Sequence, residues 1–368
     1  MIEITNEYVP TSVSPPGETL RELLEDRQIS QVDLAARMGR PQKTISEIVN
    51  GKAAITPATA IQLALVTGVA AEFWNARERN YRSFIAQQEE TERLGKLKAW
   101  CQRFPVKEMV KLAWLPPTDG VAARARSLLA FFGVAAPQSW DALFNEYAVQ
   151  FRRPSSLAVD KPSLSAWLRR GELQASATDC RVYDRDAFLQ ALTNARALTR
   201  EKPSVFQAEL RRICAQAGVA VAFVPELPKS RASGATRWLS ANKALVQLSL
   251  RYKTNDHLWF TFFHEAAHIL LHGKRLIFLE SHGATQSDEE KAADRWASDF
   301  LIAPDAYGAF VSEWDFGVAS IQAFAETAGI APGIVVGRLQ HEGVLPYHNR
   351  ANSLKVRLAW VTGGGTSH

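Results

Sequence analysis

The stretch 259-WFTFFHEAAHILLHGK-274 places His264, Glu265, His268 and His272 inside one of the most apolar runs of the chain. A helix fit for a protein core has no packing reason to carry three imidazoles and a carboxylate, and an unpaired charge there is costly to desolvate. Read as a helix, the run puts His264 and His268, four residues apart, on one face, where both can grip a single Zn2+. Glu265 lies beside that face. In an H-E-x-x-H arrangement such a Glu does not bind the metal; it takes the proton from the attacking water and passes it to the leaving amine. Zinc serves because it lowers the pKa of a bound water to about 7. The competing reading is a buried helix whose polar residues pair for structural reasons, and it leaves Glu265 desolvated between two histidines.

A zinc hydrolase needs a third protein ligand and an open position for water. The candidate lies in 287-SDEEKAADRWASDFLIAP-304, where Glu290 and Asp294 stand four apart, opposite an apolar side bearing Trp296, Phe300 and Leu301. Glu290 reads as the ligand and Asp294 as the group that holds a ligand histidine from behind. Glu289 lacks an acidic partner four residues on and reads as a carboxylate favoured by a helix N-terminus. His272, beside Gly273, reads as a helix-end residue; as a fourth ligand it would close the site and make the zinc structural. Tyr252, His257, His282 and Tyr307 remain unranked as transition-state stabilisers.

Together, "HEAAHILLHG" and "EEKAADRWASDFLIAP" resemble the ImmA/IrrE family of metallopeptidases, over about residues 200–350. The resemblance implies a zincin-like fold, His264, His268 and Glu290 as zinc ligands, Glu265 as base, and cleavage of a partner repressor or antitoxin. Family members often read E-x-E-A-N at the third-ligand helix, where this chain has Glu290-Lys-Ala-Ala-Asp294. The ligand position survives and its partner differs.

A second motif lies upstream. In 31-QVDLAARMGRPQKTISEIVN-50 the apolar Leu34, Ala35, Met38, Ile45 and Ile48 recur at helical spacing on two segments separated by Gly39 and Arg40. Ala35 permits close helix approach, Gly39 suits a positive-φ turn, Pro41 suits a first turn, Ser30 can cap the first helix and Asn50-Gly51 can end the second. Gln42, Lys43, Thr44 and Glu47 then occupy the exposed face of the second helix, flanked by Arg40 and Lys52, and suit base edges and phosphates. About residues 14–85 resemble the Xre-type helix-turn-helix of HigA-type antitoxins, which implies operator DNA as partner. The alternative is a domain that makes only protein contacts.

The predicted fold is α+β and mostly helical. An extended leader occupies 1–16, a five-helix helix-turn-helix domain 17–90 and a helical connector 91–200; a zincin-like domain with a small β-sheet follows over 201–350, then a tail over 351–368. The strands are read at "VAVAFVPEL", "GATRWLS", "KALVQLSL" and "RLIFLES", with "KALVQLSL" as the edge that receives an extended substrate. Residues 1–90 hold nine Lys/Arg and twelve Asp/Glu, whereas 91–200 hold seventeen and ten, so any DNA contact depends on a local basic patch rather than on net charge. Cys101, Cys180 and Cys214 are too few and too scattered for a disulfide framework. No signal peptide or membrane helix is read, and a cytoplasmic protein, homodimeric by the habit of helix-turn-helix readers, is expected. Two functions stay open. One is a DNA-binding regulator carrying a zinc-dependent endopeptidase; the other is a HigA-like antitoxin and autorepressor with a cognate toxin, whose C-terminal domain binds or senses without proteolysis. In a third reading, a plain peptidase uses the helix-turn-helix only to dimerise.

Overall fold

The computed structural model describes residues 12–150, 160–272, 278–280 and 287–361. Most of the expected leader, His282 and the last seven tail positions, 362–368, lie outside the described residues. The chain forms two compact units, one up to Leu97 with Gly120–Ala123, the other Lys98–Asp119 with Arg124 onward.

The first unit contains α1 (Pro16–Asp26), α2 (Gln31–Met38), α3 (Gln42–Val49), α4 (Pro57–Thr67) and α5 (Ala71–Gly95). Its elements follow from local chemistry. Ser30 caps α2, its hydroxyl accepting the Asp33 N–H at 3.0 Å. Gly39 ends the helix at φ 61°, a conformation in which a Cβ is strained. Leu20, Leu34, Ile45, Ile48, Leu63 and Trp74 bury the apolar stripes against one another.

The second unit begins with α6 (Lys98–Cys101), α7 (Val106–Lys111), most of α8 (Gly120–Phe132), and α9 (Pro137–Gln150). There Phe104 contacts Trp100, Phe132 and Trp140 with ring centroids 5.0 to 5.2 Å apart. Next come α10 (Lys161–Ser176), α11 (Arg185–Ala197) and α12 (Pro203–Gln216), then β1 (Val219–Phe223), β2 (Gly234–Ser240) and β3 (Lys243–Leu248). The unit ends with α13 (Asn255–Leu271), β4 (Phe278–Glu280), α14 (Asp288–Leu301), α15 (Pro304–Ser312), α16 (Val318–Ala328) and α17 (Pro332–His341).

The sheet order is β1-β3-β2-β4, with β1 and β3 parallel and the other pairs antiparallel. Val221, Val246 and Leu248 join Trp259, Phe262 and Phe263 of α13 in one core. On the alternate side of β3, Gln247 donates to the Trp167 carbonyl of α10 at 2.7 Å, and the Trp167 indole donates to the Val224 carbonyl at 3.1 Å. The sheet is therefore covered on both faces, and α10, within the stretch read as a connector, is one of its covering layers.

The expected edge, "KALVQLSL", is interior. As β3 it pairs with β1 and β2, and five of its six residues are buried. Its alternation was a poor guide because both faces are covered, and such strands do not need a polar side. The edges are β1 and β4.

The start of the tail is also built into this unit. The Asn255 N–H donates to the Val356 carbonyl at 2.9 Å, the Val356 N–H returns a bond to Asn255 Oδ1 at 2.9 Å, and Lys355 Nζ lies 2.6 Å from Asp256 Oδ2. Among the described residues no single helix is long and apolar enough to cross a membrane.

Candidate functional site

Two helices carry the side chains that could hold a metal ion. Along α13, Leu258, Trp259, Phe262, Phe263, Ala266 and Ile269 pack into the core, while His264, Glu265 and His268 form a buried polar stripe, each no more than 2% exposed. α14 packs against α13 and buries Glu290, Ala293, Ala297 and Leu301 at helical spacing. Ser287 caps it by accepting the Glu290 N–H at 3.3 Å, which fixes the backbone carrying the carboxylate.

The ligating atoms of His264, His268 and Glu290 lie within 4.8 Å of one another. The two histidine Nε2 atoms are 3.0 Å apart, and Glu290 Oε2 is 3.2 Å from that of His264. Behind His264, Asp294 Oδ1 lies 2.8 Å from Nδ1. Asp294 thus stands at the Nδ1 edge of His264, while Nε2, the other ring nitrogen, faces the Glu290 carboxylate. Two imidazole nitrogens with one carboxylate oxygen are a donor set that could hold Zn2+ with a position left for water.

Glu265 is fully buried, and its backbone carbonyl accepts the Thr236 hydroxyl of β2 at 2.9 Å. A Cβ added to Gly234 would sit 2.6 Å from Thr261 Cγ2 and 2.7 Å from Glu265 Oε1. Only glycine lets the start of β2 pass so close to the carboxylate. Sequence reading missed this role, although a lone glycine at the start of a strand run is a signal of close approach.

His272 ends α13 in extended conformation, and its Nδ1 lies 3.0 Å from Nδ1 of His268. It therefore touches the back of a candidate ligand, on the opposite ring edge from Nε2. Burial holds its pKa below the usual histidine value, against the opposing pull of Glu289 and Glu290. Of the stabiliser candidates, Tyr307 lies in the core beneath Arg338, whose Cζ is 4.0 Å from the ring centroid, and burial pushes its phenol up. Tyr252 and His257 stack with centroids 4.4 Å apart and line a small surface hollow together with Ser233, Arg251, Lys253 and Thr261.

In the first unit, Gln42, Lys43 and Lys52 are exposed, and Thr44, Glu47 and Arg40 are half-buried. Arg40 Nε donates to Gln62 of α4, so this arginine also ties α4 to the turn before α3. Lys43 Nζ stands 3.9 Å from Glu47 Oε1.

Residues 20–74 match the family described as Helix-turn-helix, and this part of the chain is an Xre-type helix-turn-helix domain. YddM of Escherichia coli, described as an uncharacterised HTH-type transcriptional regulator, is 36% identical over 59 residues, covering 16% of this chain and 63% of that protein. The chain thus spans just under two thirds of the length of the curated relative it matches. Among solved structures, a Nostoc punctiforme protein described as an antidote protein of a plasmid maintenance system is 26% identical, covers 24% of this chain and 96% of its own, and has a TM-score of 0.23. A Coxiella burnetii addiction module antidote protein of a HigA family is 31% identical, with 23% and 91% covered and a TM-score of 0.21.

Proposed function

We propose that the protein is a DNA-binding transcriptional regulator whose second unit is a zinc-dependent endopeptidase acting on a partner repressor or antitoxin. The observation that carries the peptidase half is the buried convergence of His264, His268 and Glu290, with Asp294 behind one ligand and Glu265 beside them. The helix-turn-helix match and the exposed Gln42, Lys43 and Lys52 support the DNA-binding half, which acts as a homodimer on a two-fold operator.

Zn2+ held by these three residues supplies Lewis acidity and makes hydroxide available near neutral pH. Asp294 keeps His264 in the tautomer that presents Nε2. Glu265 accepts the proton of the attacking water and returns it to the leaving amine. Gly234, packed against its side chain, limits the positions its carboxylate can take. An extended substrate finds main-chain hydrogen bonds along β4, the sheet edge next to β2.

The test uses wild-type and Glu265→Gln chains, each assayed for zinc and then incubated with the repressor encoded beside its gene, with and without chelator. Wild type should cut the partner and stop when chelated; the variant should keep zinc and operator binding and lose cleavage by about 100- to 10,000-fold. Cleavage retained by the variant sinks the mechanism. A partner that stays intact while bound to both chains would instead make the second unit a binding module, as in a toxin-binding antitoxin.

A further inference from the structure

Helix α4 lacks the polar outer face of an ordinary surface helix. From Ala53 to Ala71 the chain carries no Asp, Glu, Lys, Arg or His. One side of α4, with Thr59, Ala60, Leu63 and Thr67, is buried in the first unit. The side opposite Leu63 is apolar as well: Ile61 is 56% exposed and Leu65 82% exposed, and Ala58 and Gly68 are exposed beside them. A helix apolar all round belongs in a place where it is buried all round, and the single chain leaves this side uncovered.

The strip has the symmetry of a contact with itself. Ala58, Ile61, Leu65 and Gly68 follow one another at intervals of three, four and three, all within about 80° of one helix face. The order small, large, large, small reads the same in both directions. In an isologous pair one patch meets its own copy across a two-fold axis, so that residue i contacts j and j contacts i. With the axis crossing α4 near Leu63, two antiparallel copies set Ile61 against the partner's Leu65. They also set Ala58 against the partner's Gly68, above which an added Cβ would have nothing within 4 Å. Charge agrees with this pairing. The uncharged run is bounded by Lys52 and Glu72, both exposed, and the antiparallel arrangement turns the positive end of one copy toward the negative end of the other.

Area sets the strength of the contact. With 11 residues, α4 is about 16 Å long, and a strip of that length covers less than the about 800 Å² per partner of a stable interface. Such a contact is weak between free molecules. Two copies already side by side on DNA meet at an effective concentration of about millimolar, which is enough to complete it.

We infer that the exposed strip of α4 is the surface through which two copies of this chain pair, weakly in free solution and fully when both occupy one operator. The pairing stands without DNA; its part in operator binding rests on the DNA-binding reading.

The test compares the full wild-type chain with Leu65→Asp by sedimentation equilibrium. Wild type at about 10–500 µM should show a dimer that grows with concentration and persists at high salt, because its core is apolar. Leu65→Asp should weaken the dimer by at least about tenfold, since pairing would bury its charge, and should leave the melting temperature unchanged. If Leu65→Asp fails to fold, Ile61→Gln replaces it. A benzoylphenylalanine photo-cross-linker in place of Leu65, in a mixture of light and isotope-heavy copies, should join α4 of one copy to α4 of the other. A chain monomeric throughout the range, a dimer indifferent to the substitutions, or cross-links to another part of the partner copy would each overturn the inference. So would a wild type that stays monomeric and uses Leu65 to bind a different protein. On duplexes carrying one or two half-sites from its own promoter, Leu65→Asp should match wild type on one site and lose about tenfold or more of the cooperativity on two. Absence of any wild-type DNA binding would remove the DNA-binding reading and leave the sedimentation result to decide the pairing.

Discussion

Asp294 Oδ1 lies 2.8 Å from Nδ1 of His264, the ring nitrogen opposite the one that faces Glu290. A carboxylate in that place is suited to orient a candidate ligand from behind. Asp294→Ala should weaken zinc affinity by about 10- to 100-fold, measured by competition with a chromophoric chelator. Asp294→Asn can still accept the Nδ1–H through its amide oxygen and should lose less.

Gly234 governs the spacing between β2 and α13. With Thr261 and Glu265 atoms 2.6 to 2.8 Å from where a Cβ would stand, Gly234→Ala must push helix and strand apart. We expect a loss of about 1–3 kcal/mol in urea unfolding. Cleavage should fall further than zinc content does, because the displaced group is the proposed base and not a proposed ligand.

In the helix-turn-helix unit, Lys43 and Glu47 form an exposed pair at 3.9 Å, a kind worth little to stability. Lys43→Ala should therefore leave the melting temperature unchanged while weakening operator binding, with the salt slope reduced by about one if it meets a phosphate. Gln42→Ala should relax base preference more than it lowers non-specific affinity. Arg40→Ala should cost both affinity and stability, since its guanidinium also holds Gln62.

Glu172 offers a pH test of the second unit. Burial alone would raise its carboxyl, but Arg237 and Arg169 overcome that and hold it below the usual value of 4.5. A carboxylate depressed in the folded state stabilises above its unfolded pKa, and that contribution is lost as pH falls through the folded pKa. Glu172→Gln should cost about 1–2 kcal/mol near neutral pH, with the gap to wild type closing in acid below about pH 4. A deficit independent of pH would mean that the pair contributes through packing.

The parts of the site legible in the sequence are those set by spacing within one helix. His264 and His268, or Glu290 and Asp294, share faces because the helical period says so, and the Ser30 and Gly39 boundaries of α2 follow from local chemistry in the same way. Relationships between elements were not legible. Nothing in "KALVQLSL" distinguishes an edge strand from one flanked on both sides, because that depends on β1 and β2 pairing with it. The Gly234 contact depends on a helix thirty residues downstream, and the contact of His272 with His268 on the exact way α13 ends. α10 looked like connector because its burial comes from a sheet that has not yet appeared when the sequence is read from the N-terminus.

The bonds between Asn255 and Val356 join positions 101 residues apart. During synthesis at about 5–20 residues per second, the first turn of α13 therefore waits about 5–20 seconds for the segment that clasps it. The helix bearing His264 and His268 leaves the ribosome long before its clasp, so its first turn is fixed only once the chain has grown past Val356.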